Sequence, residues 1–177
     1  MLQISVKYFL KNWKTFLDFD FKKLYIFTKK QVTTLSHFLL EKDYTKIKLK
    51  LTKTNHFEIK ATLNGIKGRF ILDTGASSSC VGFEAIDKFN LKVKDSDIKA
   101  VGAGASNMLT QISKPNHLKI GKWKKKRFSL IIFNLSHVNQ GLTNHGAEPV
   151  DGIIGADVLK KGKAVIDYAK KYLYLRN

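Results

Sequence analysis

The amino-acid sequence predicts a mainly β domain, closed or sandwich-like, preceded by a helical N-terminal extension. Two observations predict this fold class. From residue 45 onwards, many short runs alternate apolar with polar residues, which is the periodicity of β-strands. Residues 1–44 contain no Gly or Pro, and their aromatic and Leu residues recur at helical spacing. A length of 177 residues suits one domain with an appendage and excludes a large two-lobed enzyme.

The N-terminal residues 1–44 predict one or two amphipathic helices that are rich in aromatic residues and lysine. Such a helix packs on the domain, contacts another subunit or lies on an anionic membrane surface, and we favour packing or subunit contact. No apolar run reaches the length of a membrane span, and no secretory signal is recognisable. Cytoplasm is therefore the default location.

The β region begins with two alternating runs. Ile47, Leu49 and Leu51 alternate with lysines, and a second run over residues 57–63 leads into Asn64-Gly65, a strong signal for a two-residue hairpin. The return strand over residues 68–72 ends at Asp73. The remaining predicted elements are a helix at 83–89, a hairpin at 97–113, strands at 117–120 and 128–133 around a turn at 121–127, a loop at 134–150, a helix at 157–161, and a hairpin joining 165–168 to 172–175.

The formal net charge of +18 invites a nucleic-acid or anionic-membrane interpretation. Only three of the 32 basic residues are Arg, however, and Arg is the better reader of bases and phosphates. The densest basic run is Lys122–Arg127, which contains one Trp. We favour a turn whose lysines protect an edge strand over a nucleic-acid patch, and a lysine-rich surface as the source of the charge.

An apolar run before Asp73 places one carboxylate at the end of a predicted strand. Gly75 permits close approach of another segment and unusual backbone angles. The hydroxyl of Thr74 can brace the turn, and small Ala76 and Ser77 leave open space beside the acid. A structural alternative is an Asx-type turn after a strand, and composition alone favours that alternative.

The stretch Asp73–Ser77 resembles the Asp-Thr-Gly-Ala-Ser active-site motif of retropepsin-like (retroviral-type, single-domain) aspartic proteases. A second family motif, two apolar residues and a Gly before the C-terminal helix, matches Ile153, Ile154 and Gly155. The resemblance covers about residues 45–177 and implies a closed acid-protease β-barrel with short helices. Between the two motifs, where the family carries its flap, lies a glycine-rich hairpin tip: Val101, Gly102, Ala103 and Gly104.

The resemblance implies an aspartic endopeptidase that acts on peptide or protein substrates. Its mechanism needs two carboxylates sharing one proton, because two close like charges cannot both ionise cheaply. Only Asp73, of ten Asp residues, is followed by Thr-Gly or Ser-Gly. The count therefore predicts a homodimer with one Asp73 from each chain. Asp151 is the rival second acid.

Further roles come with the resemblance. Thr74 would bond across the two-fold axis, Gly75 would line the substrate floor, and the Asp73 loop would pass beneath a small Gly155. Residues 171–177 would be the natural dimer strand. Many retroviral enzymes pair an Asp with an Arg at the positions of Ser77 and Ala156 here; both partners are absent together, which is typical of bacterial or cellular members.

Other chemistries find little support. No metal and no organic cofactor is implied, and the five His residues show no metal-ligand spacing. Cys80, the lone cysteine, is interpreted as a buried structural thiol and not as a nucleophile. Two further functions stay open beside the protease: a catalytically silent module of the same fold that binds peptides or dimerises, and a basic protein that binds nucleic acid or a membrane surface.

Overall fold

The computed structural model describes residues 33–102 and 105–177, and over residues 97–108 it describes the backbone path alone. The part of the predicted N-terminal helices up to residue 32 lies outside the described residues. Helix α1, Leu35–Glu41, follows, and it agrees with the helical spacing of aromatic and Leu residues predicted within residues 1–44. Among the described helices, none is both long and apolar enough to cross a membrane.

Eleven strands and two further α-helices follow α1 within the described residues. A 3-10 helix, Phe83–Ala85, stands where a longer helix over 83–89 was predicted. The helices are α2, Ser136–Asn144, and α3, Ala156–Lys161. The strands are β1 (Tyr44–Lys48), β2 (Lys50–Leu51), β3 (Phe57–Leu63), β4 (Ile66–Leu72), β5 (Cys80–Gly82), β6 (Val93–Gly102), β7 (Ala105–Ile120), β8 (Trp123–Phe133), β9 (Gly152–Ile154), β10 (Val165–Asp167) and β11 (Tyr172–Arg176).

The larger sheet closes on itself. Its strand order is β2-β3-β4-β9-β5-β8-β7-β6, and β3 also pairs with β7. The six strands β3-β4-β9-β5-β8-β7 therefore form a closed barrel, and β2 and β6 lie outside it. Closure removes most free sheet edges. The predicted mainly β, closed-barrel fold class is confirmed.

The barrel is filled by one large apolar cluster. Its most deeply buried side chains come from alternate positions of the strands, as a sheet with one inward face requires. The Asn64-Gly65 hairpin is present: both residues have positive φ, 49° and 89°, which a two-residue hairpin turn demands. Fully buried members of the cluster include Leu63, Phe70, Val81, Phe89, Ile120, Ile132, Ile154, Val158, Leu173 and Leu175.

Strands β1, β11 and β10 form a separate three-stranded sheet. The last hairpin, β10 to β11, is antiparallel and confirms the predicted pairing of the C-terminal segment. On its other side β11 pairs with β1 over Tyr44↔Arg176 to Lys48↔Tyr172. Strand β11 therefore has a neighbouring strand on each side within its own chain, which argues against residues 171–177 as a dimer strand, although that role stays a prediction.

Two predicted connections were wrong. The region 134–150 contains α2, because Leu142 buries its side chain beside Ile71 and Val150 with Val138 packed against them. This apolar contact outweighs the polar composition of the segment. The turn predicted over 121–127 is only two residues long, since β8 already begins at Trp123.

Candidate active site

The structure places Asp73 immediately after β4, as the first residue of the loop that leads to β5. Its backbone N–H donates to the carbonyl of Ile154 at 3.0 Å, so the strand pairing extends to the acid itself. The Gly75 N–H donates to Asp73 Oδ1 at 2.8 Å, which is the Asx-type turn that composition favoured. The Asp73 side chain is nevertheless exposed, so this turn presents the carboxylate to solvent.

Strand β9 lies between the two strands that flank the loop. It runs parallel to β4, with Leu72 opposite Ile154, and antiparallel to β5, with Cys80 opposite Ile153. The chain must therefore leave β4, pass across the end of β9 and enter β5. This topology sets the Asp73 loop against Ile153, Ile154 and Gly155.

Gly155 lies in close contact with that loop. A Cβ atom there would stand 2.7 Å from the Ala76 carbonyl oxygen and 2.9 Å from the Ser78 carbonyl carbon, closer than side-chain carbons approach backbone atoms. The Ala156 N–H also donates to the Ala76 carbonyl at 2.7 Å. Only a glycine allows the loop and the start of α3 to approach this closely.

Two residues that the sequence analysis did not single out fasten the loop to α3. Ser79 is fully buried; its N–H and Oγ–H donate to Asp157 Oδ1 at 2.9 and 2.6 Å. The Gly155 N–H donates to Ser79 Oγ at 2.9 Å, and the Val158 N–H reaches the same Asp157 oxygen at 2.8 Å. A sequence signal exists for one of them, because an Asp in the first turn of a helix is a frequent partner of free N–H groups.

The other predicted loop residues face outward. Thr74, Gly75 and Ser77 are exposed, and Ala76 is half-buried. In the part of the chain that the structure describes, the Thr74 hydroxyl has no hydrogen-bond partner and Asp73 Oδ2 accepts no bond. The loop thus offers a carboxylate oxygen and a hydroxyl to a group outside this chain.

The predicted flap corresponds to the hairpin of β6 and β7. Val101 and Gly102 end β6, and Gly102 lies opposite Ala105 at the start of β7. Ala103 and Gly104, the predicted tip, lie outside the described residues. The hairpin is present, while its role as a flap over the site stays a prediction.

Asp151, the rival second acid, is held at the opposite end of β9. Its Oδ2 accepts from the Arg69 N–H at 2.8 Å and its Oδ1 from Lys88 Nζ at 2.6 Å. Asp151 and Gly155 lie on either side of the three residues of β9, four positions apart, which is roughly 13 Å at the usual rise per residue. Both oxygens are occupied and distant from Asp73, so Asp151 serves the barrel and not the site.

Cys80 is buried behind the loop, with 3% of its surface exposed. Burial raises the pKa of its thiol to about 12, because an apolar environment disfavours the thiolate. A neutral, inaccessible thiol is no nucleophile. Among the described residues, no group of three or more His, Cys, Asp or Glu side chains is placed to hold a metal ion.

Comparison with known proteins gives one family match. A family model described as aspartyl protease matches residues 59–158, more than half of the chain, including Asp73 and Ile153–Gly155. A search of curated proteins finds no match.

Solved structures of similar fold include a retropepsin-like aspartic protease from Rickettsia conorii. It has 22% identity and a TM-score of 0.52, with 75% of this chain and 90% of that chain covered. The retroviral protease-like domain of Ddi1 from Leishmania major has 16% identity and a TM-score of 0.49, covering 72% and 91%. The EIAV protease, solved with an inhibitor, has 17% identity and a TM-score of 0.47, covering 62% and 90%. At these identities the first likeness supports the fold.

Proposed function

The chain belongs to the retropepsin-like aspartic protease family, and from this premise we propose that it is an endopeptidase whose active site forms between two copies. Each copy supplies one Asp73, and the pair activates a water molecule that hydrolyses a peptide bond in an extended substrate. Residues 45–177 form the protease domain and residues 1–44 an extension to it. No cofactor takes part.

The observation that carries this proposal is the exposed carboxylate of Asp73 on a loop that the rest of the fold fixes. Its backbone is bound to Ile154, the loop is fastened through Gly155 and Ser79, and one oxygen is oriented by the Gly75 N–H. A rigidly held acid with an unoccupied oxygen is what proton transfer to a bound water requires.

The chemistry follows from two such carboxylates sharing one proton. The ionised Asp73 takes a proton from water while the water oxygen attacks the peptide carbonyl carbon. The protonated Asp73 of the second copy donates to the carbonyl oxygen, which gives a neutral tetrahedral diol. Transfer of a proton to the peptide nitrogen then breaks the C–N bond and releases an amine and a carboxylic acid.

The neighbouring residues position this pair. Thr74 bonds across the two-fold axis, Gly75 forms the floor under the substrate, and small Ala76 and Ser77 leave room for its backbone. The β6–β7 hairpin closes over the cleft, with Val101 and Gly102 leading into its tip at Ala103 and Gly104. Closing such a hairpin excludes bulk solvent from the cleft, apart from the water that attacks the bond.

The test is cleavage of an unbiased peptide library by the wild-type chain and by Asp73→Asn. We expect Asp73→Asn to lose about 10³-fold or more in rate, and a transition-state-mimicking aspartic inhibitor to stop the wild type. Asp87→Asn is the matched control, because it removes an exposed carboxylate far from the loop and should leave the rate unchanged. Equal cleavage by wild type and Asp73→Asn would overturn the proposal, whereas peptide binding without cleavage by the wild type would favour the catalytically silent module.

A further inference from the structure

We propose that two copies associate through an apolar patch beside the Asp73 loop, and not through pairing of their C-terminal strands. The patch, which we call the Leu51 patch, consists of Leu51, Phe57 and Tyr168. The inference rests on the proposed function, since it concerns how a second Asp73 is brought to the first.

The C-terminal strand is committed within its own chain. Strand β11 lies between β1 and β10 and is paired with both. The last residue is also fixed: the Asn177 N–H donates to the Asp43 carbonyl at 3.1 Å, and Thr45 Oγ1 donates to Asn177 Oδ1 at 3.0 Å. Strand β11 therefore has a neighbouring strand on each side, which blocks pairing of two such strands along their length, so another surface makes the contact with a second copy.

The Leu51 patch starts from a row of residues that leads to the active-site loop. Leu51 lies directly opposite Phe57, and Phe57 lies directly opposite Leu72, the residue before Asp73. Residues opposite one another in a sheet share a face, and two strand spacings amount to about 10 Å. Leu51 is therefore within about 10 Å of the strand end that carries the catalytic acid.

The patch is exposed where the row reaches the rim of the sheet. Strand β2 has a neighbour on one side only, and Leu51 is 38% exposed. The ring of Tyr168 lies 5.0 Å from the ring of Phe57 and is 67% exposed. Phe57 is buried beneath them. Leu51 and Tyr168 are thus two exposed apolar side chains that both adjoin the buried Phe57.

The occupant of this surface is a second copy of the chain because the site is half complete without one. A shared proton requires the two Asp73 carboxylates to lie within a few Å of each other, which puts the two-fold axis beside the Asp73 loop. Exposed surface within about 10 Å of that loop then falls in or next to the interface. Buried aromatic and aliphatic anchors at the centre of an interface carry most of its binding energy.

The experiment measures the dimer dissociation constant by sedimentation equilibrium for full-length chains. We expect Leu51→Asp and Tyr168→Asp each to weaken dimerisation about tenfold or more, because each buries a charge in both halves of the interface. Phe83→Asp is the matched control, since Phe83 is 39% exposed on the 3-10 helix. Arg176→Glu tests the C-terminal strand. Both controls should stay within about twofold of the wild type.

The milder Tyr168→Ala variant guards against misfolding, and near-UV circular dichroism verifies each fold. Unchanged dissociation constants for all three patch variants would overturn the inference, as would dissociation caused by Arg176→Glu or a wild type that stays monomeric. A wild type that stays monomeric contradicts both proposals. In every other outcome they fail separately, because association is measured without activity. A dimer that needs the patch but cuts no peptide refutes only the enzyme; a peptidase whose dimer ignores the patch refutes only this interface.

Discussion

The acidic side chains and the Cys80 thiol near the Asp73 loop differ in burial and in hydrogen bonding. Asp73 Oδ2 has no hydrogen-bond partner within the described residues, whereas Asp157 Oδ1 accepts from the Ser79 N–H, the Ser79 hydroxyl and the Val158 N–H. Cys80 follows the loop by one position beyond Ser79 and is enclosed by the sheet. Asp73 is therefore the carboxyl group that the loop presents to solvent.

The Cys80 thiol provides a probe of this packing. With a pKa of about 12, about one thiol in 10⁴ is ionised at pH 8. We expect negligible reaction with a thiol reagent at pH 8 in the folded protein and full reaction in urea. Because the unfolded thiol ionises near pH 8.5 and the native one near 12, stability falls as pH rises through this range. The Cys80→Ala variant lacks that component, and rapid stoichiometric labelling of the native protein would contradict the burial.

Among the secondary-structure elements, those whose conformation depends on a few neighbouring residues were predicted correctly. Asn64-Gly65 gave its hairpin because both residues tolerate positive φ. Helix α2 was missed because its polar composition hides the contact of Leu142 with Ile71, about seventy positions away in sequence. The strand predicted over 128–133 is shorter than β8 because Trp123 and Phe128 are both buried although they are five positions apart, which breaks strict alternation. A register shift near Arg127, whose φ is 53°, breaks the alternation.

The candidate site divides in the same way. Asp73 and Ile153–Gly155 could be predicted from motifs, since each is contiguous in sequence. Ser79 and Asp157 could not, because their partnership exists only once β9 lies between β4 and β5. The arrangement of β11 was likewise beyond sequence pattern, since an apolar strand reads the same whether its edges meet its own chain or another.

The hydrogen bonds of Ser79 that fasten the Asp73 loop to α3 should contribute to the stability of the fold. Ser79→Ala removes a hydroxyl that both donates to Asp157 and accepts from Gly155, and it leaves the buried Gly155 N–H without a partner. We expect a loss of about 1–3 kcal/mol in the free energy of unfolding, measured by urea denaturation. Ser78→Ala, an exposed neighbour, should change it by less than about 0.5 kcal/mol. Equal urea denaturation midpoints for the two variants would show that the hydrogen bonds of Ser79 do not stabilise the fold.

For the whole molecule, the formal net charge of +18 is spread along the chain, and exposed lysines of the described strands lie on the exterior of the barrel. One row crosses four strands: Lys67 lies opposite Thr62, Thr62 opposite Lys119, and Lys119 opposite Lys124. The three lysines are exposed, and none forms an ion pair within the described residues. Like charges directly opposite each other in a sheet are destabilising, so this surface carries a cost that the apolar barrel interior offsets.

Relieving that repulsion should stabilise the fold. Lys119→Glu places a negative charge between Lys67 and Lys124, and we expect a gain of about 0.5–1 kcal/mol in the free energy of unfolding at low salt. Lys94→Glu is the matched control: it lowers the net charge by the same two units, but Lys94 lies opposite Ile112, not a lysine. Thermal or urea unfolding of both variants separates the local contact from the overall charge. The difference between them should shrink at about 0.5 M NaCl, because salt screens exposed charges. Equal gains from both variants would assign the effect to net charge alone, and the lysine row would then have no local cost.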